Sequence, residues 1–309
     1  MIEVRGLRKQ YGEILAVDDV GFTAEPGAIF GLLGPNGAGK STTIGCISGL
    51  IKPGAGSVSV LGFDVISEGA ASRRHVGVVP QDLALYEDLS ARENIAYWGA
   101  AYGLRGGDLN SRTEEALKAT GLIDRARSRA STLSGGLKRR LNFACGIVHD
   151  PKVLLLDEPT VGVDPQTRVH LLNLVRSLAD RGATVLYTTH YMDEAQNLCD
   201  RLAIIDHGKI IADGTLSELR AILGERDLLR VTGTFDPARI AEALSDIDEI
   251  EIVQTDETTV TLATPRGSEK LSSVLQGLTD AGFTIRDTTL TQPSLESLFI
   301  RLTGKELRE

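Results

Sequence analysis

Few stretches leave a chain as little freedom of fold as Gly34-Pro35-Asn36-Gly37-Ala38-Gly39-Lys40-Ser41-Thr42, which fits G-x-x-x-x-G-K-[S/T] and directly follows the apolar run Ile29 to Leu33. A buried strand, a glycine-rich loop and a helix starting near Lys40 are expected in that order. Gly34, Gly37 and Gly39 let the backbone wrap closely round an anion with its N–H groups pointing inward, and the positive end of the helix adds to the same field. Lys40 can then reach the outer phosphates of a nucleoside triphosphate, while the Ser41 hydroxyl ligates the bridging Mg²⁺. The plainer reading, a glycine-rich turn with a solvated lysine, is disfavoured by the strand before it and the helix after it.

The 309 residues exceed one ordinary domain, so a large nucleotide domain and a smaller second one are expected. Acidic side chains outnumber basic ones 42 to 33, for a formal net charge of -9. That sign is wrong for a chain that tracks phosphate backbones, and no nucleic-acid partner is expected. Cys46, Cys145 and Cys199 lie inside apolar or helical patterns, which fits a reducing compartment and no disulfide framework. The opening MIEVRGLRKQYG has an acid at Glu3 and no long apolar core, so it does not read as a signal peptide. No run of ~18 apolar residues suggests a membrane span.

Before the phosphate loop, Ile2 to Val4, Leu15 to Val20 and Gly21 to Ala24 read as short strands, a β edge ahead of a parallel core. Tyr11, near this edge, can stack on an adenine face or simply pack at a strand edge. After the loop come a helix over Thr42 to Leu50, a strand over Ser57 to Leu61, and a buried strand, Val76 to Val79, ending at Pro80-Gln81-Asp82. Gln81 thus stands at the carboxyl end of a strand, where open α/β sheets bind ligands. Its amide can ligate Mg²⁺, orient a water or cap a loop. Residues 83–132 read as helices with no strand, the body of an insertion of about 83–150. Ser90-Ala91-Arg92-Glu93 forms a capping box for a helix through Tyr102, and Thr113 to Thr120 forms another helix. The aromatics Tyr86, Tyr97, Trp98 and Tyr102 read as packing residues of a surface suited to docking a partner.

Leu133-Ser134-Gly135-Gly136 precedes the helical pattern Leu137 to Val148 and makes a second anion site: Ser134 can cap the helix and donate to a phosphate, and the glycines allow close approach. Lys138, Arg139 and Arg140 read as a solvated face. Val153 to Leu156 is a third apolar run, finishing in Asp157-Glu158-Pro159. Asp157 can hold Mg²⁺ through its water shell, and Glu158 can orient or deprotonate a water for attack on a γ-phosphate. A fourth run, Thr184 to Thr189, ends at His190. Singly, each of Gln81, Asp157, Glu158 and His190 has a bland structural reading. Delivered together to one sheet edge beside a phosphate loop, they point to hydrolysis.

On these residues, 1 to about 225 resembles an ATP-binding cassette (ABC) ATPase subunit, in order and spacing as well as residue type. Gly34–Thr42 resembles the family's Walker A, Gln81 its Q-loop, Leu133–Gly136 its signature, Val153–Glu158 its Walker B with catalytic glutamate, and His190 its switch histidine. Tyr11 is similar to the adenine-stacking aromatic. Leu137 stands where a glutamine commonly ends the signature, and Val161-Gly162-Val163-Asp164 varies the S-G-L-D dimer loop, keeping Asp164. The resemblance implies an α/β P-loop NTPase fold of the ABC type, with parallel core sheet, antiparallel β edge and helical insertion. It also implies ATP and Mg²⁺ as ligands, with Ser41, Gln81 and Asp157 serving the metal. Two anion sites per chain could serve one nucleotide within a chain or between chains. The resemblance implies the latter: two subunits sandwiching ATP head to tail, at the inner face of the cell membrane, driving a separate integral membrane permease.

Beyond a boundary expected at Gly224-Glu225-Arg226, residues 226–309 read as β-α-β-β-α-β, a small split βαβ sandwich, then an amphipathic helix over Ser294 to Thr303 after Gln292-Pro293. This α+β accessory domain, with Pro293-Ser294-Leu295-Glu296 and Leu302-Thr303-Gly304, resembles the C-terminal extension of daunorubicin-type drug-resistance exporter ATPases. Export of drug-like, lipid or polysaccharide compounds is therefore expected. Against an ABC ATPase acting on nucleic acid or ribosomes stand the acidic charge and the single cassette. Against an ATP-sensing regulator stand Glu158 and His190, since a sensor needs no general base.

Overall fold

The computed structural model describes residues 1–222, 226–291 and 295–303. Gly224 and Glu225 of the expected boundary, Gln292-Pro293-Ser294 and Gly304 lie outside the described residues. Two compact units divide the chain between Asp213 and Gly214.

The first unit opens with a hairpin, β1 (Ile2–Tyr11) and β2 (Ile14–Ala24). Then follow β3 (Ile29–Leu33), α1 (Lys40–Ile47), β4 (Ala55–Val60), β5 (Phe63–Asp64), α2 (Gly69–Arg73) and β6 (Val76–Val79). The helical segment carries α3 (Ala91–Ala101), α4 (Gly106–Ala119) and α5 (Gly135–Ile147). The chain returns through β7 (Val153–Asp157), α6 (Pro165–Asp180), β8 (Thr184–Thr189), α7 (Met192–Leu198), β9 (Arg201–Asp206) and β10 (Lys209–Gly214).

The strands form an antiparallel sheet in the order β2-β1-β4-β5 and a six-stranded sheet in the order β10-β9-β3-β8-β7-β6. In the second, β3 pairs in parallel with β8 and β9, and β7 with β6 and β8. Every residue of β3, β7 and β8 is buried, as strands covered on both faces require. Alternation sends Phe30, Leu32, Leu155 and Leu186 toward the antiparallel sheet, whose Val4, Leu7, Val20 and Phe22 complete that core; Phe22 and Phe30 stack at 4.6 Å. Ile29, Leu154, Leu156, Val185 and Tyr187 face the other way, against Leu171, Val175 and Leu178 of α6. The insertion has its own core, with Ile95, Leu117, Leu122 and Leu141 fully buried.

β1 is longer than expected, and β2 is one strand rather than two. Gly6 at φ 57° and Asp19 at φ 59° bend their strands as bulges, with register shifts in the β1–β2 ladder, and the pairing runs on past Val4 and through Val20-Gly21, where the sequence suggests strand ends. α4 also starts earlier than the Thr113 expected, at Gly106.

The second unit, from Gly214 on, holds α8 (Leu216–Ile222), β11 (Arg226–Thr234), α9 (Ile240–Ala243), β12 (Glu251–Thr255), β13 (Thr259–Pro265), α10 (Gly267–Asp280), β14 (Thr284–Thr291) and α11 (Leu295–Thr303). Its sheet runs β12-β13-β11-β14 with every pair antiparallel, over a core of Leu229, Val231, Val260, Leu262, Val274 and Leu278. The division falls ahead of residue 225 because α8, opened by the Thr215/Glu218 capping box, packs on α11.

Candidate active site

The carboxyl ends of β3, β6, β7 and β8 meet at one edge. Leaving β3, the chain turns through Gly34–Gly39 into α1, whose N-cap Gly39 has φ 106° and offers no side-chain cap. Two facts reserve this position for glycine: the left-handed backbone, and the carbonyl of Ala16, which would stand 2.5 Å from a Cβ. The first-turn N–H groups of α1 therefore remain available to an anion. Gly37, at φ 81°, has open space around it.

Lys40 folds back over the loop and is buried, its Nζ donating to the carbonyls of Gly34 at 2.6 Å and Pro35 at 2.9 Å. The same ammonium pairs with Glu158 Oε1 at 3.0 Å. The second Glu158 oxygen accepts from Gln81 Nε2 at 3.3 Å and lies 3.2 Å from His190 Nδ1, close enough for an ion pair if His190 is protonated but without hydrogen-bond alignment. One buried carboxylate thus gathers groups from the phosphate loop, from the end of β6 and from the end of β8.

Glu158 adopts φ 45°, left-handed for a side chain that disfavours it. Its N–H donates to the hydroxyl of Thr188, which also lies 2.7 Å from Asp157 Oδ1. Thr188 has no motif to announce it in the sequence: it is one of three threonines in a buried strand, Thr184–Thr189, and nothing in the sequence singles it out from the other two. Behind it, buried Glu194 of α7 accepts from Tyr187 at 2.8 Å and Thr189 at 3.0 Å.

Ser134 is the N-cap of α5, accepting from Leu137 N at 3.4 Å. Ser134 and Gly135 are exposed, and a Cβ on Gly135 would meet nothing within 4 Å, so this helix end faces outward. Leu133 is buried beneath it, whereas Gly136 abuts Asp164, whose side chain caps α6 by accepting from Thr167 N at 2.9 Å. Hydrogen bonds from Thr167 hold the Asp164 carboxyl below its ordinary pKa. The basic triplet departs from the solvated face expected. Arg139 donates to the Gln81 carbonyl at 2.5 Å and to the Val161 carbonyl at 3.3 Å; Lys138 pairs with Glu87, and Arg140 donates to Thr167. At 46% exposure Tyr11 leaves its ring open to stacking, with Lys9 Nζ 5.1 Å from the ring centre.

Ser41, Asn36 and Gly37 are exposed at the loop, Thr42 is half-buried and Ala38 is buried. Among the described residues no three His, Cys, Asp or Glu side chains gather as a metal cage. Hard oxygen donors at Ser41, Asp157 and Gln81, few in number, suit Mg²⁺, which keeps waters and takes most remaining ligands from phosphates.

A phosphate loop at the end of β3, with acids at the end of β7, an amide after β6 and a histidine after β8, defines a P-loop ATPase cassette. The family model for the ABC transporter matches residues 17–161, and the one for the ATP-binding protein DrrA1-3-like, C-terminal domain, matches residues 214–303. The linearmycin resistance ATP-binding protein LnrL of Bacillus subtilis (strain 168) is 39% identical over 312 residues, covering 100% of both chains. The daunorubicin resistance ATP-binding protein DrrA3 of Streptomyces coeruleorubidus is 37% identical, over 99% of this chain and 97% of its own. A dimeric ATP-binding cassette in a post-hydrolysis state bound to ADP and Pi superposes with a TM-score of 0.65 at 28% identity, covering 70% of this chain and 99% of that one. The chain belongs to the ABC transporter ATP-binding proteins: it is the ATP-binding, ATP-hydrolysing subunit of an exporter-type transporter.

Proposed function

We propose that two copies of this chain close on ATP, the Gly34–Thr42 loop of one and the Ser134–Gly136 helix end of the other holding each nucleotide. Closure then drives a separate membrane permease that exports drug-like, lipid or polysaccharide compounds. The observation that carries the catalytic part is the convergence of Lys40, Gln81 and His190 on the buried Glu158 carboxylate. A carboxylate so placed can orient the attacking water and take its proton, with His190 and Gln81 fixing the geometry around the γ-phosphate. Lys40 and the first-turn N–H groups of α1 bind the outer phosphates, and Tyr11 stacks on the adenine. Mg²⁺, held by Ser41, Asp157 and Gln81, would neutralise phosphate charge as it develops. The outward-facing Ser134 and Gly135 support use of that helix end by a partner copy, with Asp164 beside it.

Permease docking is supported by a groove of about 490 Å³, lined by Leu50, Arg73, Trp98, Tyr102, Asn142 and Cys145, between the insertion and the core of the first unit. Among the described residues no helix is long and apolar enough to cross a membrane. Attachment to the cytoplasmic face of the membrane would come through the permease.

Glu158→Gln tests this reading. It keeps the side-chain shape and removes the base, so turnover should fall by roughly 10² to 10⁴-fold while ATP binding survives. With hydrolysis blocked, the variant should become a dimer in MgATP by light scattering on a size-exclusion column, and return to monomer without nucleotide. Hydrolysis at the native rate removes Glu158 from the mechanism. An inactive variant that stays monomeric in saturating MgATP counts against the two-copy sandwich.

A further inference from the structure

We propose that Thr188 is a positioning residue for hydrolysis, one buried hydroxyl fixing both acids at the end of β7; this rests on the roles given above to Asp157 and Glu158. Thr188 is fully buried and stands directly across from Asp157 in the β7–β8 register. Its Oγ1 is 3.0 Å from the N–H nitrogen of Glu158, 2.7 Å from Asp157 Oδ1 and 3.4 Å from the Leu156 carbonyl. A hydroxyl has a single proton to give, and the nearer, charged acceptor takes it. The hydroxyl is then polarised in one direction, receiving from the backbone of Glu158 and donating to the carboxylate of Asp157.

Each bond has its own effect. Glu158 sits at φ 45°, a conformation that must be held by its surroundings. The bond to Thr188 holds its N–H, and Val161 N, donating to its carbonyl at 3.3 Å, holds the other side. This turn aims the carboxylate at Lys40, Gln81 and His190. The bond to Asp157 commits one oxygen and so fixes the orientation of the other. Without the hydroxyl, both acids keep their place in the chain but lose their aim.

The test compares Thr188→Val, Thr188→Ala, Thr188→Ser and Glu158→Gln. Valine keeps the volume and β-branching; alanine, which cannot crowd the strand ends, guards against a misfolded valine variant. Steady-state ATPase rates are measured with melting temperatures, and a fluorescent ATP analogue is titrated with and without Mg²⁺. Valine and alanine should lower kcat about 10- to 100-fold, as loss of a hydrogen bond to a charged group implies. Affinity for the analogue without Mg²⁺ should stay within about twofold of native, because the phosphate loop is untouched, and the gain on adding Mg²⁺ should shrink. Serine, which restores the hydroxyl, should recover most of kcat. Native kcat in the valine and alanine variants beside an inactive Glu158→Gln overturns the role of Thr188 alone. So does a loss in which Mg²⁺-free affinity falls equally, or one that serine does not rescue. A Glu158→Gln protein that turns over normally overturns the underlying reading and this inference with it.

Discussion

At Lys40 a buried ammonium is held by two loop carbonyls and by Glu158 Oε1, which occupy its three N–H donors, so incoming phosphate oxygens bind by taking the place of one of these partners. Removing it leaves the outer phosphates without their charged partner. Lys40→Ala should therefore weaken MgATP binding by an order of magnitude or more, since hydrogen bonds to charged groups contribute about 1.5 to 3 kcal/mol. Titration with a fluorescent ATP analogue measures it, and unchanged affinity would sink the role of Lys40. This residue is legible in the sequence because its chemistry is local: the glycines that free the backbone and the lysine that covers it lie within one turn of chain. Thr188 is not legible in that way. Its partners Asp157 and Glu158 are distant in sequence and reach it only through strand pairing. Arg139 misleads for a related reason, because a basic triplet on a helix looks solvated until the folded Gln81 and Val161 carbonyls come up against it.

The ends of α3 and α5 converge on the start of β6, where Tyr102 OH donates to the Val76 carbonyl at 3.1 Å and His149 Nε2 lies 3.2 Å from the same oxygen, the two rings stacked at 3.5 Å. Burial lowers the His149 pKa from its ordinary 6.5 to about 4, against smaller raising effects of the Val76 bond and Asp150; nearby His75 adds to the lowering. Between those values the unfolded chain takes up a proton that the folded chain refuses. This contribution to stability is therefore complete above pH 6.5 and is lost as pH falls toward 4, by about 3 kcal/mol in all. His149→Phe keeps a ring against Tyr102 and abolishes the titration. Compared by urea unfolding at pH 7 and pH 4.5, the native chain should lose clearly more stability than the variant; equal losses would mean that His149 is not what titrates. At this scale the sequence was readable where signals are local and periodic, as in the Ser90 capping box and the alternation that buries β3, β7 and β8. It was less so in β1 and β2, because glycines such as Gly6 and Gly21 look like strand ends, whereas the paired strands carry the chain through both.

For the molecule as a whole, the phosphate loop, both acids, Gln81, His190 and the Ser134–Gly136 helix end all lie in the unit Met1–Asp213, and the unit from Gly214 on has a separate apolar core. The position of the division was hidden in the sequence, because only the packing of α8 on α11 assigns that helix to the later unit. Two truncations put the consequence to measurement. A chain ending after Gly214 keeps all of β10, the edge strand of the nucleotide sheet, and should bind the ATP analogue as the full chain does. A chain ending after residue 225 should bind equally well but carry α8 without α11, leaving Leu219, fully buried in the intact protein, to face water. Exposing a leucine costs roughly 1.5 to 3 kcal/mol of burial and leaves an apolar patch, so the longer truncation should bind more of a hydrophobic dye and aggregate at lower concentration than the shorter one. Equal behaviour of the two would mean that α8 does not need the second unit. Loss of ATP binding in the shorter chain, while it still melts cooperatively, would mean that the nucleotide site extends beyond Gly214.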